Sequence, residues 1–266
     1  MPVLPEFEAI SFIRIFERGA HTKPWLIEVL TDQGPTPYVA KIYTAAQNTE
    51  RNSVTAEILG NTLAKEFDLK VPQAALIHFP VDFIMVLNSH CQMTLDLADE
   101  RPKFGSEYLD GSIEVPSDIQ KSTFKRHIDL DTLFAFDNFI RNADRGQVKT
   151  NLLLHKKKAW LIDHEMAFDI TANTNDEFNN LQWEERFWRY HLCYNHLKKA
   201  SKSTKSSYFE TFSEYLRLLN IGSLTSYFNQ LESCGYITKR KEILAYLEYH
   251  KQNSCKFVNL LKTFLK

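Results

Sequence analysis

Between Asn138 and Asp169 the chain reads NFIRNADRGQVKTNLLLHKKKAWLIDHEMAFD, its densest cluster of polar residues in an otherwise apolar stretch. Asp144 follows a long segment with helical character and opens a loop. Asn151 closes that loop at the start of an apolar strand, and Asp163 ends the next strand, WLID. Two hairpin strands then deliver an amide and a carboxylate at neighbouring ends, with a second carboxylate on the loop beside them. Hard divalent cations such as magnesium take oxygen ligands of this kind, commonly one or two carboxylates completed by substrate phosphates. A carboxylate near such an ion, but not bound to it, can orient an attacking hydroxyl or accept its proton. Asn151 and Asp163 are therefore candidate metal ligands, and Asp144 is the candidate catalytic base.

An Asp, a later Asn and a strand-terminal Asp follow one another in the catalytic and metal-binding loops of protein kinases. The spelling here departs from theirs. There is no HRD, Asn151 stands seven residues after Asp144, and IDHEMAF replaces DFG. The phrase N-A-D-R, N-L-L-L, W-L-I-D-H-E-M-A-F resembles the HipA-like kinase family, an atypical branch distantly similar to the phosphoinositide lipid kinases. That family commonly has N-x-D-R, a short insert, N-L-L and then L-I-D-H-G. Glu165 stands where its Gly is usual, and a glycine there would ease the backbone through a tight turn.

The rest of that scheme can be sought independently. It needs a lysine on a strand to reach nucleotide phosphates and a glutamate on the following helix to hold it. PYVAKIYT supplies Lys41, and TAEILGNTLA supplies Glu57. FERGAHTKPWLIEVL falls where a phosphate-covering loop would lie, with Gly19 at its apex and Thr22 or His21 as phosphate contacts. FIMVLN, read as a strand from Phe83 to Asn88, falls where backbone near Val86 to Asn88 would meet adenine. FGSEYLDG, residues 104 to 111, resembles a surface segment of HipA-like proteins and is assigned no chemistry. Arg145 pairs either with substrate phosphate or with a nearby carboxylate. His164 is expected to hydrogen-bond locally.

These residues need elements to carry them. FIRIFERG, KPWLIEVLTDQG and TPYVAKIYT read as strands punctuated by Gly and Pro, with a turn at Asp32 to Pro35. Val54, Ile58, Leu59, Thr62 and Leu63 recur at helical spacing. Ala74 to Phe79 forms a further apolar run of strand length. Asp118 to Ala143 reads as a long helical segment. Asn151 to His155 and Ala159 to Ile162 read as a hairpin with a solvated Lys156–Lys158 tip. From Glu177 to Lys266 the pattern is amphipathic helices, with SKSTKSS (201 to 207) as a loop. The expected fold is α+β and two-lobed, kinase-like: a small antiparallel β lobe over 1–95 and a larger helical lobe over 96–266.

Composition sets outer bounds. The chain has 266 residues, is 44% hydrophobic and 13% aromatic, and carries 32 basic against 33 acidic side chains. Such a balance supplies no whole-chain field for nucleic acid or an acidic membrane surface. No apolar run approaches the length of a membrane span. The four cysteines are too scattered for a zinc knuckle or disulfide framework, and the nine histidines show no metal-ligand spacing. A cytoplasmic chain with reduced thiols is the expectation. The family resemblance, carried over roughly residues 10 to 170, implies ATP and Mg2+ as cofactors and Ser/Thr phosphorylation of a protein substrate. It also implies an antitoxin partner, where the kinase is the toxin of a toxin–antitoxin pair. A small-molecule or lipid kinase on the same site, a pseudokinase binding module, and a helical scaffold with chance motifs stay open beside it.

Overall fold

The computed structural model describes residues 3–17 and 23–266. The chain is α+β and divides into two compact units, each assembled from separate stretches of sequence. The first comprises 1–59, 72–110 and 223–238; the second comprises 60–71, 111–222 and 239–266. The division thus falls at several points, where the sequence suggested a single boundary after residue 95.

The first unit is built on a closed five-stranded barrel: β1 (Glu6–Ile15), β2 (Trp25–Thr31), β3 (Gly34–Ala40), β4 (Ala74–His78) and β5 (Lys103–Glu107). Their spatial order is β1-β2-β3-β5-β4. β2 and β3 form the expected hairpin, closing on Thr31 opposite Gly34, whose φ of 99° is the left-handed conformation that glycine tolerates. The barrel is not wholly antiparallel, because β4 returns beside the start of β1 in parallel register, Glu6 opposite Leu76. One face of this barrel packs Trp25, Ile27, Val29, Tyr38, Ala75 and Ile77 into a common core. Residues Leu231 and Tyr236 join Leu4, Tyr43, Val54 and Ile58 in a second cluster. Gln230 fixes the incoming chain there, exchanging 2.9 Å hydrogen bonds with the backbone N–H and C=O of Leu4.

Two sequence expectations fail in this unit. Phe83 to Asn88 is not a strand: Val81–Met85 and Ser89–Asp96 are short helices, and Asn88 caps the second by accepting from the Cys91 N–H at 2.9 Å. The apolar run had strand length, but period alone does not separate a short buried helix from a strand. FGSE is not a surface segment but the body of β5, with Phe104 and Gly105 buried between β3 and β4. Gly105 is required where it stands, since a Cβ there would sit 2.1 Å from Cδ1 of Ile77.

In the second unit the sequence 118–143 holds two helices, Lys121–Phe124 and Leu130–Phe139, in place of one long helix. The hairpin β7 (Leu152–His155) and β8 (Lys158–Leu161) follows, with the two-residue strand β6 (Ile113–Glu114) beside β7. Lys156 and Lys157 take φ of 49° and 64° at the exposed tip, so the lysines sit in solvent as expected. SKSTKSS is a short helix, Lys202–Ser206, capped by Ser201, in place of a loop. The core of this unit is aromatic. Phe67, which follows helix Ser53–Glu66, lies with its ring centroid 5.5 Å from that of Phe136, 5.7 Å from Phe139 and 5.0 Å from Phe212.

Among the described residues no helix is long and apolar enough to cross a membrane. The four cysteines are free, Cys91 and Cys193 buried and Cys255 exposed. Replacing Phe67, which is 1% exposed, removes a ring shared by four aromatic neighbours. Phe67→Ala is predicted to lower unfolding free energy by about 3 to 5 kcal/mol, read from urea denaturation. A loss below about 1 kcal/mol would show that this aromatic cluster does not hold the second unit together.

Candidate functional site

Helix Leu130–Phe139 is almost wholly buried, and its sequence LDTLFAFDNF accordingly carries apolar residues at most positions. Asp137 is the exception that matters, a carboxylate with no exposed surface. A charge sealed from water costs several kcal/mol unless it is paired and hydrogen-bonded, and Asp137 is both. Its Oδ2 accepts from Arg145 Nε at 2.7 Å and lies 3.0 Å from His191 Nε2; its Oδ1 accepts from Asn142 Nδ2 at 3.1 Å. Burial alone would raise its pKa, but the Arg145 charge and the His191 bond outweigh it and hold the carboxyl at about 2.

This pairing fixes the backbone around Asp144. Asn142 Oδ1 accepts from the Asp144 N–H at 3.2 Å, and Arg145 is the next residue in the chain. Asp144 is thus held on both flanks by side chains that bind Asp137. The Arg145 guanidinium also donates to the Asn151 carbonyl and, at 3.4 Å, to that of Ile162, with Nη2 3.3 Å from His164 Nε2. One fully buried arginine therefore ties the loop at 144 to both strands of the hairpin. Of the two roles open to Arg145 from sequence, carboxylate pairing is the one observed. His164 bonds locally, as expected, and packs on Gly60, where a Cβ would lie 2.5 Å from the histidine Cβ.

Hairpin register then brings the three polar residues together. Leu152 pairs with Leu161, and Ile162 N–H donates to Asn151 O at 3.1 Å, so Asn151 and Asp163 leave the same end of the ladder. Both adopt left-handed backbone, φ 50° for Asn151 and 63° for Asp163. Asn and Asp are the non-glycine residues that visit this region most readily, and such conformations concentrate at functional sites. Asn151 Nδ2 donates to the Asp144 carbonyl and to its Oδ2, both at 2.9 Å. The amide is thereby turned so that Oδ1 is left as its ligand atom. The long Asp144-to-Asn151 spacing is taken up by a turn in which Gly146 N–H donates to Lys149 O at 3.0 Å, with Val148 fully exposed.

One charged side chain at this site, Lys149, is not singled out by sequence; Glu165 is, as a departure from the family's usual spelling. Lys149 Nζ lies 2.5 Å from Asp163 Oδ2 and 3.3 Å from Asp144 Oδ2. Glu165 is buried, and a carboxylate oxygen of it lies within 4.8 Å of one from Asp163. Glu165 is not left-handed; the positive φ values of this loop fall on Asp163 and Phe168, so no glycine is needed at 165. Two carboxylates and an amide oxygen suit a hard divalent cation, and the Lys149 ammonium resting on Asp163 and Asp144 shows that positive charge is accommodated there.

In the first unit Lys41 follows β3 directly and continues its ladder, donating N–H to Phe104 O at 2.9 Å. Its Nζ lies 3.2 Å from Glu57 Oε1, which also accepts from Tyr43 OH at 3.1 Å. Glu57 is 1% and Lys41 11% exposed, so the pair is largely shielded from water. Val86 is exposed at the end of helix Val81–Met85, and the Asn88 side chain is engaged as a helix cap. Gly19, His21 and Thr22 lie outside the described residues.

Residues 11–216, well over half of the chain, match the family model described as HipA-like kinase. The chain belongs to the HipA-like kinase family. Comparison with the curated proteins and with the solved structures gave no match. Membership suggests phosphotransferase activity for this HipA-like kinase and implies ATP with a divalent metal.

Because Asp137 has a lower pKa folded than the ordinary unfolded value of about 3.9, folding favours its ionised form. That stabilisation is complete above about pH 4 and is lost as pH falls towards about 2. Asp137→Asn should cost about 3 to 5 kcal/mol near neutrality, because Arg145 is left buried and uncompensated. The gap between variant and wild type, from urea unfolding at several pH values, should narrow from pH 4 downward. A gap constant across that window would contradict the assignment.

Proposed function

We propose that this HipA-like kinase is an ATP- and Mg2+-dependent phosphotransferase of two-lobed, kinase-like fold that phosphorylates serine or threonine hydroxyls of a protein. The observation that carries this reading is the convergence of Asp144, Asn151 and Asp163 at one end of the β7–β8 hairpin. Phosphoryl transfer proceeds through a loose transition state, so the protein's work is mainly positioning and charge stabilisation. Asp163 and Asn151 hold magnesium, which when bound supplies neutralising charge to the phosphate oxygens. Asp144 receives the acceptor hydroxyl's hydrogen bond and takes its proton, and the Asn151 amide keeps that carboxylate turned. Lys41, held by Glu57 and Tyr43, binds the nucleotide phosphates.

For the base, the barrel order favours a different segment from Val86–Asn88. β5 is the strand paired to β3, with Ala40 opposite Gly105 and Tyr38 opposite Glu107. Backbone leaving β5 at Glu107 to Leu109 therefore runs a few residues along the same ladder from Lys41, a span suited to a nucleoside between base and phosphates. A cytoplasmic location belongs to the same proposal. Within this reading the acceptor protein and an antitoxin partner are extensions carried by the family resemblance.

Purified protein with ATP and Mg2+ should show autophosphorylation or slow ATP turnover. Asp163→Asn should abolish it, and Asp144→Ala should lower it by about 100-fold or more. Val86→Asp should leave ATP affinity within about twofold, since a factor of that size is well under 1 kcal/mol. A wild-type protein that neither binds nor turns over nucleotide would replace this reading with that of a pseudokinase.

A further inference from the structure

Lys149 stands in the insert that separates Asp144 from Asn151, and its ammonium rests on both carboxylates of the proposed reaction centre. We propose that Lys149 is a tethered competitor of the metal: it occupies the divalent cation's place on Asp163 in the nucleotide-free protein and makes metal binding depend on nucleotide. This rests on the reading of Asp163 as a metal ligand and adds a rule for when that ligand becomes available.

Three observations support it. First, the ammonium already sits 2.5 Å from Asp163 Oδ2, so a divalent ion bound at that oxygen would lie beside a second positive charge. A metal at carboxylate bonding distance would need that position, and two cations would then be forced together in a partly shielded site. Second, the lysine can leave. Its side chain is 32% exposed and rises from the turn closed by Gly146 and Lys149, whose neighbour Val148 is fully exposed. An ammonium on a flexible four-carbon stem can transfer between anions without backbone movement. Third, Asp144 and Asp163 both approach one ammonium, so its departure takes positive charge from two carboxylates at once. Carboxylates that share a cation repel more strongly once it goes, so a second cation is taken up there more readily.

Coupling follows. Nucleotide phosphates offer the displaced ammonium another anion, so they lower the cost of metal entry, and by reciprocity metal raises nucleotide affinity through the same residue. Magnesium at cellular concentration then does not occupy Asp163 until nucleotide arrives.

Mn2+ binding measures this without any turnover. Free Mn2+ would be followed by electron paramagnetic resonance, with and without a non-hydrolysable ATP analogue, in the wild type, Lys149→Met, Lys149→Gln and Lys149→Arg. In the nucleotide-free protein both neutral variants should bind Mn2+ at least about tenfold more tightly than the wild type, whereas Lys149→Arg should stay weak. The enhancement of Mn2+ affinity by the analogue should shrink correspondingly in the neutral variants. The same variants should melt at lower temperature than the wild type without metal and recover with Mn2+. Neutral variants whose Mn2+ affinity stays within twofold of the wild type, while the analogue still enhances it, would overturn the role of Lys149 and leave the kinase reading standing. Absence of Mn2+ binding in every protein, with or without the analogue, would overturn the metal site itself and both proposals with it.

Discussion

The candidate site hangs on one buried ion pair, Asp137 with Arg145. Neither side chain has exposed surface, so neither charge is tolerable without the other. The pair is satisfied only when helix Leu130–Phe139, the loop after it and both strands of the hairpin occupy their observed places. Asp137 uses its two oxygens for Arg145, His191 and Asn142, and Arg145 also donates to the carbonyls of Asn151 and Ile162 and lies against the His164 ring. Local misplacement of any of these elements leaves a buried charge or carbonyl unpaired. The energy that fixes the fold here also fixes the aim of Asp144, Asn151 and Asp163.

Within that frame the reactive side chains are held under tension. Asn151 and Asp163 sit in left-handed backbone, and each such residue costs of order 1 kcal/mol or more. Asp144 and Asp163 share one lysine ammonium. Left-handed backbone and concentrated negative charge are features that suit a site for a multivalent cation. Glu165 adds to the same charge without left-handed backbone, so it bears on the electrostatics of the loop more than on its path.

Much of this site was legible because strand periodicity and residue type coincide there. Short apolar runs on either side of a Lys triplet define the hairpin, and a hairpin necessarily brings its outer ends together. Lys41 and Glu57 were legible for a similar reason, as lone charges in an apolar strand and helix. Asp137 was not: one carboxylate in the run LFAFDNF reads as an exposed position until tertiary packing closes around it, although a charge in so apolar a helix is itself a signal. Lys149 carried no periodic signal at all. The misread segments fail for packing reasons. FIMVLN is apolar enough for either element type, and FGSE was missed because Gly105 breaks strand propensity to let Ile77 pass.

In the proposed reaction a phosphoryl group moves from ATP to a protein hydroxyl, with Asp144 taking the proton. Mass spectrometry of lysate proteins after incubation with the enzyme and γ-18O-labelled ATP addresses it most directly, with Asp144→Ala in parallel. The proposed reaction predicts isotopic phosphate on serine or threonine of a small set of proteins with the wild type, and none above background with the variant. Label found only in small molecules or lipids, or equal labelling by the variant, would contradict it.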